Sequence, residues 1–424
     1  MICLYVESAC NNQLWRITSI MRRRTNSLLG MLLIIIYSLL LGSSCVERYY
    51  PEDDVPDGTL VVNAHLDDRS EIQTITLTTS TSLLSPDYQP KTGCVVRVER
   101  EDGDVLLFEE GRQGTYRAAP GSGFMVHGSR YRLVIADPQG NEYCSDYEAL
   151  HPPLPIDSVY FRRETRYSVT GEGREGIRFY TDFTVDKTAG EYVRWEMTET
   201  YEFHNPDHKA YIYDLDREIK PLHDSLTWRT CWITNQLPTI YTLNLAMLRE
   251  GIFREKQLNF VSREPQRLHH RYSLLVKQYT LTPAAYGYWN KLKENTQSQG
   301  NLFDKQPAIL YSNICNRDDP GEKVIGFFSV SGMSEHRIFV EDIPGLELPD
   351  NEMFCFPLPE IPPHLNYLPP SDLPLYFTRA GHDGVITFGL TEKHCIDCRE
   401  YEGSTHIMPD FWTTGKDLQK HPAP

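Results

Sequence analysis

The chain has 424 residues, of which 40% are hydrophobic and 24% charged, and a formal net charge of −16 at pH 7. That length suits two domains better than one, because single cores rarely grow past roughly 250–300 residues. The acidic balance argues against a nucleic-acid binder, which needs clustered Lys and Arg to meet phosphates; the 25 Tyr and 28 Pro lean towards strands and ordered loops.

Residues 1–44 read as a secretory signal. Arg22, Arg23 and Arg24 form a basic cluster just after Met21, and Leu28–Leu41 is apolar except for Gly30, Tyr37 and Ser38. The apolar run falls short of the ~17–25 residues that span a hydrocarbon core as a helix, so a retained transmembrane anchor is disfavoured. Residues 1–20 carry none of this pattern, which points to Met21 as the start. Gly42-Ser43-Ser44-Cys45 then resembles a bacterial lipobox, in which the thiol is diacylglycerylated and becomes the first mature residue. Leu41 lies one position further from Cys45 than the strict pattern puts its leucine. Lipidation of Cys45 would anchor the chain in a membrane, and loss of residues 1–44 removes four arginines and one glutamate, leaving it more acidic.

Residues 45–58 carry Glu47, Glu52, Asp53, Asp54 and Asp57 and read as an acylated, solvated tether. Acidic residues near an acylated cysteine resemble those that accompany lipoproteins to the cell surface in one bacterial phylum. From 59 to 152 the pattern is short strands at regular spacing. Thr74–Thr78 alternates, and Asp102-Gly103 between two apolar runs marks a hairpin. Tyr131–Ile135 adds a strand closed by Asp137-Pro138-Gln139-Gly140. About seven such strands predict an immunoglobulin-like or transthyretin-like β-sandwich.

His151-Pro152-Pro153-Leu154-Pro155 reads as a stiff linker into a larger antiparallel β domain over 153–424. There Val193, Trp195 and Met197 face one side of a strand, and Arg194, Glu196 and Thr198 the other. One helix is predicted over 283–295, with Thr282 as N-cap, Pro283 at its first position and Ala285, Trp289 and Leu292 as a packing stripe. Nine prolines between Pro344 and Pro374 mark a long irregular loop. Its Phe354, Phe356 and Tyr367, with Tyr376 just beyond, form the candidate partner surface.

Seven cysteines follow Cys45, and an odd number cannot all pair within the chain. Cys94 and Cys144 are two buried thiols or one bridge. Cys231, Cys355, Cys395 and Cys398 are disulfide candidates whose connectivity the sequence does not assign. His394-Cys395-Ile396-Asp397-Cys398 with His406 has three readings: structural disulfides that pin the tail, a zinc site, or a redox C-x-x-C pair. The first is preferred, because a zinc site usually has a second spaced pair and redox chemistry wants a strand–helix context. No metal or other cofactor is therefore expected.

Other motifs fail on context. Gly171-Glu172-Gly173-Arg174-Glu175-Gly176 matches G-x-G-x-x-G but opens a strand, so it reads as a hairpin loop. Asp214–Glu218 and His65–Asp68 lack calcium-loop spacing. His269-His270 on a strand would point to opposite faces, against shared ligation.

Several segments together resemble one family. They are the lipobox at Cys45, Gly114-Thr115-Tyr116, Pro155-Ile156-Asp157-Ser158, Val193-Arg194-Trp195, Thr198–Phe203 and Tyr272–Gln278. To these are added Phe303-Asp304 with Pro307, Gly326-Phe327-Phe328-Ser329, Cys395–Arg399 and Pro409-Asp410-Phe411-Trp412. The set is similar to the domain of unknown function 4249, a Bacteroidota lipoprotein family, across nearly the whole mature chain. The glycine pair expected after the C-x-x-C segment is reduced to Gly403. Members often sit beside TonB-dependent outer-membrane transporters, so the resemblance implies an accessory role in uptake and lends no catalytic residues. The expectation is a non-enzymatic lipoprotein of the outer membrane, on its periplasmic or its surface face, that binds a ligand or partners such a transporter. A structural or adhesive surface protein is the alternative, and an envelope hydrolase ranks behind both.

Overall fold

The computed structural model describes residues 58–81, 88–168, 170–205, 210–222, 228–263, 266–297, 310–349, 367–382 and 385–412. The signal, Cys45 and most of the acidic tether lie outside these residues. So do Phe354, Cys355 and Phe356.

The fold is mainly β, with a β-sandwich and, among the described residues, one α-helix. The first half supplies β1 (Leu60–Asp67), β2 (Gln73–Thr79), β3 (Gln89–Pro90), β4 (Val95–Arg100), β5 (Val105–Arg112) and β6 (Thr115–Ala118). β7 (Arg130–Ala136), β8 (Glu142–Ser145) and β9 (Glu148–Ala149) complete it. Their inward residues, including Val62, Leu66, Ile75, Leu77, Val98, Tyr131 and Leu133, make one core. Alternation decides which side chains enter: β1 reads buried at Leu60, Val62, Ala64 and Leu66. The Asp102-Gly103 hairpin is present, with Gly103 at φ +102°.

Then come β10 (Ile156–Tyr167), β11 (Gly173–Val185), β12 (Tyr192–His204), β13 (Ala210–Tyr213), β14 (Ile219–Pro221), β15 (Thr230–Gln236), β16 (Tyr241–Asn244), β17 (Gly251–Ser262) and β18 (Tyr272–Leu281). Helix α1 (Pro283–Gln297) precedes β19 (Ile314–Asn316), β20 (Ile325–Val340), β21 (Leu375–His382), β22 (Val385–Thr391) and β23 (Ser404–Thr405). A three-stranded sheet β10-β11-β17 shares a second core with β12 and β18, built on Phe179, Phe183, Val193, Trp195, Met197, Leu274 and Val276. The G-x-G-x-x-G segment forms the β10–β11 hairpin, closed by the Ser168 N–H donating to the Glu172 carbonyl at 2.9 Å.

The boundary expected at 152/153 separates two cores but not two stretches of sequence. β20 pairs in parallel with β1 over Ile325–Ser331, then antiparallel with β18 over Gly332–Val340. Its Phe328 and Val330 enter the first core, and Val340 the second. β19 pairs with β8, and Ile314 also enters the first core. The sandwich is thus completed by strands more than 150 residues downstream of its expected end, because an exposed sheet edge is stabilised by any strand that can pair with it. Leu154 of the expected linker is fully buried, and its carbonyl accepts from Gln278 and Ser334.

Helix α1 is capped as its sequence implies: the Ala285 N–H donates to the Thr282 hydroxyl at 3.1 Å. It covers part of the face of β12 opposite Val193, Trp195 and Met197. Arg194 is buried there, with its guanidinium 4.1 Å from the Trp289 ring and 4.7 Å from the Tyr279 ring, paired to Glu196 at 3.2 Å. A buried guanidinium tolerates this because it is weakly hydrated and stacks on aromatic faces.

The Thr282 hydroxyl also donates to the Glu148 carboxylate. Burial raises the Glu148 carboxyl to about 7, against the opposing pull of that hydrogen bond. In the folded chain the proton is therefore held where the unfolded chain has already lost it. Stability from this group is present at low pH and falls as pH rises from about 4.5 to 7, by on the order of 3 kcal/mol. The Glu148→Gln variant is expected to flatten that part of a stability–pH profile measured by urea unfolding; an unchanged profile would count against this burial.

Candidate functional site

At one end of the β15-β12-β18-β20 sheet, four segments close around a cleft of about 750 Å³. The sheet supplies Glu202 from β12 and Trp232 from β15. The turn before β18 supplies His269, His270 and Arg271; the segment after β20 supplies Glu341 to Leu348; the tail supplies Met408 and Trp412.

The tail reaches this position through covalent and polar ties. Cys231 and Cys398 form a disulfide across 167 residues, both fully buried beside Phe203. The Cys398 N–H donates to the Trp228 carbonyl at 2.9 Å, and β23 pairs with β15, setting Thr405 opposite Trp232. Asp397, almost fully buried, takes both arms of Arg399 at 2.9 and 2.8 Å; burial pushes its carboxyl up, but the side-chain and backbone hydrogen bonds and the charge of Arg399, with the charge of Lys393, together hold it low. Arg399 stacks 3.7 Å from the Trp228 ring.

Inside the cleft, Glu202 accepts from His204 Nε2 at 2.7 Å and from Trp412 Nε1 at 3.2 Å. The His204 bond, chiefly, keeps its carboxyl below the usual carboxylate range. His204 stacks on His270 at 3.7 Å between ring centroids. Burial, then the neighbouring His204, push His270 down to about 4, and burial also lowers His269. At neutral pH the cleft therefore holds a carboxylate and neutral imidazoles at positions 269 and 270, each with one donor and one acceptor nitrogen. Arg271 pairs with Glu341 at 2.7 Å and lies 4.5 Å from the Phe339 ring and 5.7 Å from that of Trp412. Trp232 and Trp412 are 9% and 4% exposed and meet edge to face at 6.4 Å. Among the described residues, the buried indole nitrogen of Trp232 has no hydrogen-bond partner, and neither has His269 Nε2. Such groups carry an energetic penalty that a bound ligand with acceptor oxygens can relieve.

The sequence-predicted residues fall elsewhere for the most part. Cys395 and Cys398 do not bond to each other: Cys398 takes Cys231, and Cys395 is bonded to a partner outside the described residues. Neither thiol is available as a zinc ligand or a redox pair. His394 instead pairs with Glu392 at 3.1 Å, and His406 is exposed. Among the described residues no group of three or more His, Cys, Asp or Glu could hold a metal ion. Tyr367 is 86% exposed and Tyr376 half-buried on β21, and neither lines the cleft. Among the described residues of the Pro-rich loop, Pro344, Leu346 and Leu348 at its start border the cleft.

His269-His270 is the pair that strand alternation dismissed. It lies in the turn after a 3-10 segment, Gln266–Leu268, where alternation does not apply, so both residues reach one cleft. Trp232 carried a usable signal in its place next to Cys231. Trp412 lay in a segment noted for resemblance only.

A family model described as "Domain of unknown function (DUF4249)" matches residues 46–337. No curated protein matches the chain. Among solved structures, trypsin-activated alpha-2-macroglobulin from Escherichia coli is 11% identical with a TM-score of 0.16; the match covers 54% of this chain and 15% of that one. The BSP domain of a biofilm associated protein is 9% identical with a TM-score of 0.10, over 69% of this chain and 62% of that one. Nothing rests on likenesses at that level.

Proposed function

The chain belongs to the DUF4249 family, and from that premise we propose that it is a lipid-anchored outer-membrane protein facing the cell surface. In this reading it serves as a non-catalytic binding component of a TonB-dependent uptake system. The observation that carries the binding role is the chemistry of the cleft. Its central ionised groups are committed to protein partners, Glu202 to His204 and Trp412, and Arg271 to Glu341. A carboxylate held low by two donors is a weak base, whereas aromatic walls with an indole N–H unpartnered among the described residues suit holding a ligand. The anchor is supported by the basic and apolar runs ahead of Cys45 and by the acidic tether after it.

Cell fractionation tests the anchor. Wild-type chain is expected in the outer-membrane fraction and open to protease on whole cells, with Cys45→Ala released as soluble periplasmic protein. Membrane retention of the Cys45→Ala chain would overturn the acyl anchor.

A further inference from the structure

We propose that Cys144 and Cys315 form a further disulfide in the mature protein, locking the edge strand of the sandwich. β19 ends the sheet and, among the described strands, pairs with β8 in an antiparallel ladder that sets Cys315 directly opposite Cys144. The Asp146 N–H donates to the Asn313 carbonyl and the Arg317 N–H to the Glu142 carbonyl, each at 2.8 Å. Counting in twos along the ladder, Cys144 and Cys315 occupy a hydrogen-bonded pair position. Cα atoms at such a position lie about 5.5 Å apart, inside the ~4.4–6.8 Å window that a disulfide spans. Both side chains leave the same face, and Cys315 Sγ lies 3.8 Å from the Cys144 carbonyl oxygen. Both sulfurs are unbonded, Cys315 exposed and Cys144 half-buried. Cys94, the third free cysteine among the described residues, is buried just before β4, an inner strand between β7 and β5.

The order of reaction follows from exposure. The Cys315 thiolate attacks a disulfide of an envelope dithiol–disulfide oxidant, forming a mixed disulfide and releasing one oxidant thiol, which takes up the proton from Cys315. The Cys144 thiolate then attacks Cys315 Sγ, forming the intrachain bond and releasing the second oxidant thiol. Two cysteine thiols lose two electrons and two protons, and the oxidant's disulfide becomes a dithiol. Attack by Cys144 first is disfavoured, because burial and the Glu142 carboxylate raise its thiol. The same edge is built for stability: Asn313 bridges both backbone groups of Phe328, and Arg317 pairs with Glu142 at 2.6 Å.

The inference rests on the export reading for its oxidant, so the test separates the two. Cells are treated with an alkylating agent before lysis, and the purified full chain is digested without reduction. The expected digest contains a peptide pair linked through Cys144 and Cys315, together with the Cys231–Cys398 pair, while Cys94 takes label only after denaturation. Labelled Cys144 and Cys315 beside an intact Cys231–Cys398 pair would overturn the proposal. A second arm oxidises the purified, reduced chain with glutathione disulfide. There the same cross-link must form; a lasting glutathione adduct on Cys315 would also overturn it. Failure of the export reading shows separately, as reduced Cys231 and Cys398 in the cellular digest.

Discussion

Removing the Cys231–Cys398 disulfide is expected to cost about 3–5 kcal/mol of stability, because it closes a loop across 167 residues and frees the unfolded chain when lost. The effect should be larger than an entropy argument alone suggests for one part of the molecule. Cys398 heads the tail that carries Trp412 to Glu202, and Cys231 is adjacent to Trp232. Without the bond, the tail loses its covalent tie to β15 and is held beside Trp232 by the short β15–β23 pairing, the Trp228 contacts and the packing of Phe411 and Trp412 against Arg337, Phe339 and Glu202. A Cys231→Ala/Cys398→Ala chain should therefore unfold at lower urea, and its tryptophan emission should shift to the red before global unfolding, as Trp412 gains water. A midpoint and emission equal to wild type would refute this role.

Gly326→Ala is expected to be the most damaging single-methyl change in the first core. Gly326 has φ +115° and sits directly opposite Val62 in the parallel β1–β20 pairing. A Cβ there would overlap the Val62 carbonyl oxygen, which is backbone and cannot swing aside. Left-handed strain and backbone overlap together should cost at least about 2–4 kcal/mol. Gly103→Ala is the control: its φ is +102°, but nothing lies within 4 Å of the added carbon. It should cost only about 1 kcal/mol, from strain alone. Equal losses for the two variants, read by urea unfolding, would show that close approach at Val62 is not what position 326 serves.

These two cases also show where the sequence was readable and where it was not. Local signals translated well. The Thr282-Pro283 start, the Asp102-Gly103 turn, the Gly171–Gly176 hairpin and the Val193/Trp195/Met197 core face each depend on neighbours within a few residues, and each is present. Non-local pairing did not translate. Nothing in Leu60–Asp67 announces that its parallel partner lies beyond residue 324, and periodicity is silent on which strand completes an edge. Gly326-Phe327-Phe328-Ser329 was noticed as a resemblance, and the close approach to Val62 now gives its glycine a physical reason. Alternation puts Arg194 on the face opposite Trp195, and α1 covers it there, because alternation assigns a face and not what packs on that face.

The cleft was the least legible part for the same reason. Its walls come from residues 202, 232, 268–271, 341–348 and 408–412, brought together by a disulfide whose pairing cysteine spacing cannot assign. Of the aromatic surface expected at Phe354, Phe356, Tyr367 and Tyr376, the first two lie outside the described residues and the last two lie away from the cleft, which the loop's first residues border.

The most direct test of an uptake role is affinity isolation of the tagged, full-length chain from cross-linked native outer membranes, followed by mass spectrometry of what it carries. A TonB-dependent barrel should be recovered with the wild-type chain in comparable amount and be absent when Cys45→Ala removes the anchor. Recovery of the membrane-bound chain with no barrel beside it, repeated across growth conditions, would contradict the account.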